Sequence, residues 1–590
     1  MPIHSSLNSP APQSQSAFTA IGVRIPMRDG LSLHAAVWRP RGHTEPVSAV
    51  MELTPYGIDH LNEDGVFWAA EGFAYVAIDV RGRGNSDGDF VPFLRDASDG
   101  YDAVEWIAAQ DWCDGQVALH GGSYTGINQY LIMAAAPPSL KAITPDATTG
   151  HGIDLPRGGI PLVYEFGWRL LVSNRATHFN IWGDAANWHR HLYDATVAGT
   201  SLVEAAAAAG APVDEHSLHD VDHPEPGPQW ETFLAQPEQL ATTAVPVMSI
   251  TGMYDDSSPG TLRNWRRFAR HAPAEVVVRS HLVIGPWDHM GTHFGEGKVG
   301  ELVFGPEATV PLAELRRDWL RHILHGAPAP EFLRDRVMLY LAGTERWISA
   351  PSLEQATIGS VTRYLRSTDG PMDATHSGFV EDAPAAGPDA AFTCDPFDLR
   401  THDVELQPRP AGSGPESPFH GRPMNSFFHV LGGNDPTNPR FVLDLDGQGV
   451  VYTSRVLADD ITIVGEPELH LRLVCDQPDA DIAVFLHEIT PMGDSVFLSS
   501  DALRLSCRDL VGAHRYLVPG EPTDVTFREF KWCTRTVQAG SRLRLAIRHA
   551  YAIQVTPYPH GRPADAPAAH VRILHDAASA PRLILPIGAP

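Results

Sequence analysis

The stretch Gln116–Gly126, QVALHGGSYTG, decides the fold. Gln116 to His120 is a short apolar run, the pattern of a strand buried on both faces of a parallel sheet. Gly121-Gly122 ends it, Ser123 follows, and Tyr124–Ala136 reads as a buried helix stopped by Pro137-Pro138. A serine on a sharp turn between strand and helix stands at the carboxyl edge of a sheet. Its flanking residues must be small, because the two backbones nearly touch there. The second small position holds Thr125, with Gly126 one residue later, so the strict G-x-S-x-G spacing is broken. Taken alone, such a turn is equally an ordinary glycine-rich loop.

Outward from this turn the chain alternates in the same way. Ala74–Val80 (AYVAIDV) and Leu140–Pro145 are expected as strands, and Asp102–Ala109 as a helix with Val104, Ile107 and Ala108 on one side. Strand character returns at Val245–Gly252 and Val276–Gly285, followed by a helix over Pro311–His325. Strands alternating with helices imply a parallel sheet with crossover helices. Between His151 and Glu238 strand character is scarce. That region holds Tyr164, Phe166, Trp168, Phe179, Trp182 and Trp188, and an Ala-rich helix around Glu204–Ala209, so it reads as a helical insertion. Past residue 345 the helical signal gives way to period-two alternation at Leu469/Leu471/Leu473, Leu503/Leu505/Cys507 and Leu543/Leu545/Ile547, the mark of an antiparallel sandwich. Gln407–Pro423 is too rich in Pro and Gly for an element interior and is expected as a long loop.

With 590 residues the chain exceeds what one hydrophobic core supports. Its 44 basic and 71 acidic side chains give a net charge of −27, which disfavours nucleic-acid and membrane-surface binding. Five scattered cysteines, an odd number without metal-ligand spacing, fit a reducing cytoplasm. Met1–Ala17 lacks the pattern of a signal peptide, and no run reaches the roughly 18 apolar residues of a membrane span. A soluble protein, not exported by the usual route, is expected.

A hydroxyl near neutral pH is a poor nucleophile, so a serine enzyme needs a base, a residue that orients the base, and an oxyanion hole. The α/β-hydrolase order is Ser, then Asp or Glu, then His, each past the carboxyl end of a later strand. Tyr254-Asp255-Asp256 follows Val245–Gly252, and Gly285-Pro286-Trp287-Asp288-His289 closes the next expected strand. Candidates for all three roles therefore occur in the required order.

These pieces resemble the cocaine-esterase and X-prolyl dipeptidyl-peptidase family of α/β-hydrolases. The resemblance rests on R-x-P-x-R-D-G-x-x-L at Arg24–Leu33, T-P-Y at Thr54–Tyr56, and D-V-R-G-x-G-x-S-x-G at Asp79–Gly88. It extends to D-x-x-x-W-I at Asp102–Ile107, W-C-D-G at Trp112–Gly115, G-x-S-Y-x-G at the nucleophile turn, G-x-Y-D at Gly252–Asp255, and G-P-W-x-H ending in His289. That family carries its glycine three residues after Ser, as here. The resemblance implies an α/β-hydrolase core (residues 1–148 and 244–344), an inserted helical cap (149–243) and a C-terminal all-β jelly-roll sandwich (345–590). It implies Ser123 as nucleophile, His289 as base and then acid, Asp255 as orienter, and the Tyr56 hydroxyl with the Tyr124 backbone N–H as the oxyanion hole. Phe166 and Trp168 of the cap are candidate pocket residues.

Other readings compete at single positions. Asp256 is an alternative orienter, and Asp288 is expected to face solvent or cap a helix. His120 reads as a core histidine. His189 and His191 lack a third metal ligand, and Arg81–Gly84 lacks the phosphate-loop pattern, so neither implies a cofactor. The expected activity is hydrolysis of a small-molecule carboxylic ester, or an amide, without metal or organic cofactor. An aminopeptidase or α-amino-acid ester hydrolase (acylase) is the alternative within the class. A non-catalytic protein that binds a ligand on its β-sandwich is the alternative outside it.

Overall fold

A computed structural model describes residues 17–161, 163–177, 191, 194, 197–198, 200–211, 223–225, 227–300, 302–368, 377–395, 398, 447–510, 512, 514–550 and 567–589. The start of the chain before Ala17, the Phe166 side chain, Phe179, Trp182, Trp188, His189 and the expected loop Gln407–Pro423 lie outside the described residues.

Among the described residues ten strands form the first sheet: β1 (Phe18–Pro26), β2 (Ser32–Arg39), β3 (Val47–Thr54), β4 (Ala74–Asp79), β5 (Cys113–Gly122), β6 (Leu140–Asp146), β7 (Met248–Gly252), β8 (His281–Gly285), β9 (Val337–Leu341) and β10 (Arg346–Ala350). Their order is β1-β2-β4-β3-β5-β6-β7-β8-β9-β10. Pairing from β4 through β9 is parallel, and antiparallel strands close both ends. The chain passes from β4 over β3 to β5, so the strand order changes direction beside β3. At such a switch point the loops leaving neighbouring strands part and open a crevice at the carboxyl edge. The central strands β4, β6 and β7 are almost entirely buried, which explains their unbroken apolar runs.

Between β6 and β7 the described elements are helical: Val163–Leu171, Leu202–Ala208, Pro228–Phe233 and Pro237–Leu240. Beyond β10 the fold is all-β, with thirteen strands among the described residues around a second hydrophobic core. The first of them, Thr357–Ser367, lies antiparallel to the last, Arg582–Gly588.

Three expectations are corrected. Val276–Gly285 is not one strand: Ala274–Val277 is a helical turn and only His281–Gly285 is β. Pro273 presets the φ of that turn, and Ser280 ends it by donating to the Val276 carbonyl (2.8 Å). The sheet does not end at residue 344, because β10 pairs with β9 through a tight hairpin in which Glu345 adopts φ 56°. Its carboxylate accepts from the Gly343 N–H (2.8 Å) and the Tyr340 hydroxyl (2.8 Å). The alternation at Leu503–Cys507 breaks after Arg504, where Leu505–Cys507 forms a 3-10 turn.

Candidate active site

Between β5 and the helix Tyr124–Ala134 the chain turns on one residue, Ser123, at φ 58° and ψ −117°. An L-residue holds that conformation only when its surroundings impose it. Here the Ser123 N–H donates to the Asp146 carbonyl at the end of β6 (2.9 Å), and the Ser123 carbonyl accepts from the N–H groups of Gly126 (3.0 Å) and Ile127 (3.1 Å). The Thr125 hydroxyl donates to the Gly122 carbonyl (2.8 Å). A Cβ at residue 126 would lie 2.8 Å from the Asp146 carbonyl oxygen. Position 126 is therefore where the helix meets the sheet edge.

Asp255 follows β7 and His289 follows β8. The two meet: Oδ1 of the fully buried Asp255 accepts from His289 Nδ1 (2.9 Å) and from the Ser257 N–H (2.9 Å). An imidazole that donates through Nδ1 carries its lone pair on Nε2, the tautomer a general base requires. Burial lowers the His289 pKa, but the Asp255 charge and hydrogen bond outweigh it and leave it above the ordinary 6.5. Asp256 takes no part in this pair; it forms an ion pair with Lys531 of the all-β domain. Asp288 accepts from the Gly291 N–H (2.7 Å), just ahead of the turn Gly291–Phe294. His120 packs edge-on against Trp68 with ring centroids 5.8 Å apart, and burial drives its pKa down to about 3, as for a core histidine.

Tyr56 lies just past β3 on the same edge. Its hydroxyl accepts from Trp168 Nε1 (3.1 Å), and its side chain lies close to that of Ser123. Burial raises the phenol pKa, so the group keeps its proton and can donate. Tyr124 opens its helix, so its N–H has no intrahelical acceptor and sits at the positive end of the helix dipole. Trp168, expected as a pocket residue, stacks on the Tyr124 ring with centroids 5.8 Å apart. Phe93 covers the same ring at 4.1 Å.

Several supporting residues escaped sequence reasoning. At the R-G-x-G turn the buried Arg83 donates to the carbonyls of Pro55 (2.7 Å) and Val172 (3.0 Å) and to the Thr177 hydroxyl (3.0 Å). Thr177 in turn donates to the Tyr56 carbonyl (2.6 Å), so Arg83 ties the Tyr56 loop to the cap. Beneath the nucleophile turn, Asp146 pairs with His293 and with Arg316 (3.2 Å). Burial pushes the Asp146 carboxyl up, yet these two partners hold it well below the usual carboxylate range. A Cβ at Gly122 would lie 2.2 Å from His293 Cε1, and the His293 ring stands edge-on to His289 at 5.8 Å. No local pattern singles out His293, whose partner Asp146 lies far away in sequence.

A sheet that delivers a serine, an acid and a histidine past β5, β7 and β8 to one edge is the architecture of the α/β-hydrolases, and this chain is a serine hydrolase of that class. Residues 29–291 match the X-Pro dipeptidyl-peptidase (S15 family), and residues 334–584 match the X-Pro dipeptidyl-peptidase C-terminal non-catalytic domain. The chain belongs to the cocaine-esterase and X-prolyl dipeptidyl-peptidase family. It is 26% identical over 537 residues to the cocaine esterase of Rhodococcus sp. (strain MB1 Bresler), covering 86% of each chain. Two solved structures share its fold at 20% identity and a TM-score of 0.76. An aminopeptidase from a marine sediment Thaumarchaeota archaeon covers 98% of this chain and 97% of its own; an α-amino acid ester hydrolase covers 100% of both.

Proposed function

We propose that the chain hydrolyses a small-molecule carboxylic ester through an acyl-enzyme on Ser123. The observation that carries this reading is the Asp255–His289 hydrogen bond (2.9 Å), formed at the same sheet edge as the strained Ser123 turn and the Tyr56 hydroxyl. His289 Nε2 takes the Ser123 proton as the oxygen attacks the ester carbonyl. Asp255 holds the ring in its tautomer and stabilises the imidazolium that forms. The Tyr56 hydroxyl and the Tyr124 N–H donate to the oxyanion, where charge develops in the transition state. Collapse expels the alcohol, which takes its proton from His289. Water then repeats the sequence on the acyl-enzyme, activated by the same base.

An ester with a neutral acyl group is favoured over an α-amino-acid ester. Recognition of an ammonium group needs a carboxylate whose charge is neither neutralised nor suppressed. Asp256 pairs with Lys531, and burial pushes the Asp154 carboxyl up to about 8, toward its neutral form. The likeness to the aminopeptidase and the amino acid ester hydrolase carries fold alone. Five buried cysteines without disulfides support a reducing, cytoplasmic setting. The net charge of −27 argues against nucleic acid or an anionic membrane as partner; among the described residues no helix is long and apolar enough to cross a membrane.

Intact-protein mass spectrometry after exposure to aryl and alkyl esters, with His289→Ala to slow turnover, tests the proposal. An acyl adduct on Ser123 is expected. Adducts on another residue, or no fluorophosphonate labelling of Ser123 in folded protein, would sink it. Free α-amino-acid esters run beside their N-blocked analogues decide the second point, and preference for the free amine would revive the aminopeptidase reading.

A further inference from the structure

The loop Gly252–Ser258 carries Asp255 and is gripped from two sides. On the α/β side, the Met253 N–H donates to the Gly285 carbonyl (2.9 Å) and the Tyr254 N–H to the Trp287 carbonyl (3.0 Å), which ties the loop to the segment that carries His289. The other side is the all-β domain. Lys531 pairs with Asp256, the Thr534 N–H approaches Met253 Sδ (3.3 Å), and Phe497 lies 6.5 Å from the Tyr254 ring. Every residue from 253 to 256 except Asp255 itself is thus touched by that domain.

We propose that Lys531 is a positioning residue for the hydrolytic reaction, through which the C-terminal domain sets the geometry of the Asp255–His289 pair. This rests on the function proposed above. Lys531 is 2% exposed, and its backbone is fixed at both ends: its N–H donates to the Ser500 carbonyl (3.1 Å), and its carbonyl accepts from the Ser499 hydroxyl (2.6 Å). Its ammonium therefore reaches Asp256 from a rigid base. A buried lysine is costly to desolvate and is kept there by its partner. The pair anchors the peptide unit that follows Asp255, while the Asp255 carboxylate binds His289 and the Ser257 N–H on either side of it. Without either member of the pair, the loop loses its charge-assisted tie to the all-β domain at the residue next to Asp255. The cost falls on the orientation of His289 and leaves substrate contacts alone. A domain that carries none of the proposed reacting groups would in this way govern the rate.

The test compares wild type, Lys531→Met, Lys531→Arg and Asp256→Asn in the full-length chain. Turnover of p-nitrophenyl acetate and the labelling rate of Ser123 by a fluorophosphonate are measured with the downfield proton resonance of His289 Nδ1–H. Lys531→Met is expected to lose on the order of tenfold or more in kcat and in labelling rate, with KM within about twofold, since small misplacements of a catalytic group cost this much. The resonance should broaden or vanish. Lys531→Arg, which keeps the charge, should restore most of the loss. Asp256→Asn, close to isosteric, should reproduce it and serves as the test if Lys531→Met does not fold. Folded Lys531→Met and Asp256→Asn with wild-type kcat and resonance would overturn the proposal, as would a rise in KM that accounts for the loss. Absence of Ser123 labelling in wild type would instead overturn the proposed function itself.

Discussion

At the scale of single residues, the behaviour of His289 follows from two opposed effects, burial and the Asp255 charge, of which the second prevails. General-base catalysis needs the neutral ring, so the acid limb of the kcat/KM profile should fall above the ordinary 6.5. Asp255→Asn removes the raising influence; its residual activity should show that limb at lower pH, and a limb that stays put would contradict the pairing. Trp168 can be tested with equal economy. Its indole N–H donates to the Tyr56 hydroxyl (3.1 Å), which polarises that hydroxyl toward the oxyanion. Trp168→Phe keeps the ring stacked on Tyr124 and deletes the donor. A single neutral hydrogen bond is worth about 1 kcal/mol; kcat should fall about fivefold with KM little changed, whereas a change confined to KM would make Trp168 a packing residue only.

At the scale of elements, β3 carries an acid where a strand interior ordinarily excludes one. Glu52 lies behind the nucleophile turn, accepts from the Tyr75 hydroxyl (2.7 Å), and is pushed up to about 8 by burial. A carboxyl raised in the folded state favours folding below its unfolded value of 4.5 and loses that advantage as pH climbs toward 8. Glu52→Gln should therefore lose less thermal midpoint between pH 5 and pH 8 than wild type does, and parallel melting curves would count against a protonated Glu52. Glu52 also illustrates what the sequence could reveal. β5, its serine turn and the following helix were legible because local signals coincide there: an apolar run, glycines, then a helical stretch closed by Pro137-Pro138. Asp255 and His289 were legible because topology orders them. Val276-Val277-Val278 misled, since three β-branched residues resemble a strand and only Pro273 and Ser280 show otherwise. Lys531 and Asp256 are 275 residues apart, and no local pattern announces such a pair.

At the scale of the whole molecule, cap, α/β core and all-β domain are joined by polar contacts, buried or partly buried. Arg157 of the insertion donates to the carbonyls of Ser500 and Glu529 (both 3.2 Å), and the Arg504 N–H to the Gly158 carbonyl (2.9 Å). Ala342, just past β9, exchanges backbone hydrogen bonds with Thr534 (3.2 Å) and Thr536 (2.9 Å), while Arg266 clasps Glu466 through both nitrogens (2.9 and 2.8 Å). Groups desolvated at such a junction lose their partners if one domain opens alone, which couples the domains' stabilities. Scanning calorimetry should show the α/β and all-β domains unfolding in one transition. Two well-separated peaks would mean that the junction couples them weakly.

The conformation of Ser123 has an implication for anyone who would engineer this protein. At φ 58° and ψ −117° glycine is the residue best suited to position 123. Ser123→Gly should melt at a higher temperature than wild type while losing all acyl transfer, and an unchanged or lower midpoint would show that the turn stores no strain. Selection for heat resistance alone would accordingly tend to erase the nucleophile, so a screen for hardier variants has to score turnover in the same round.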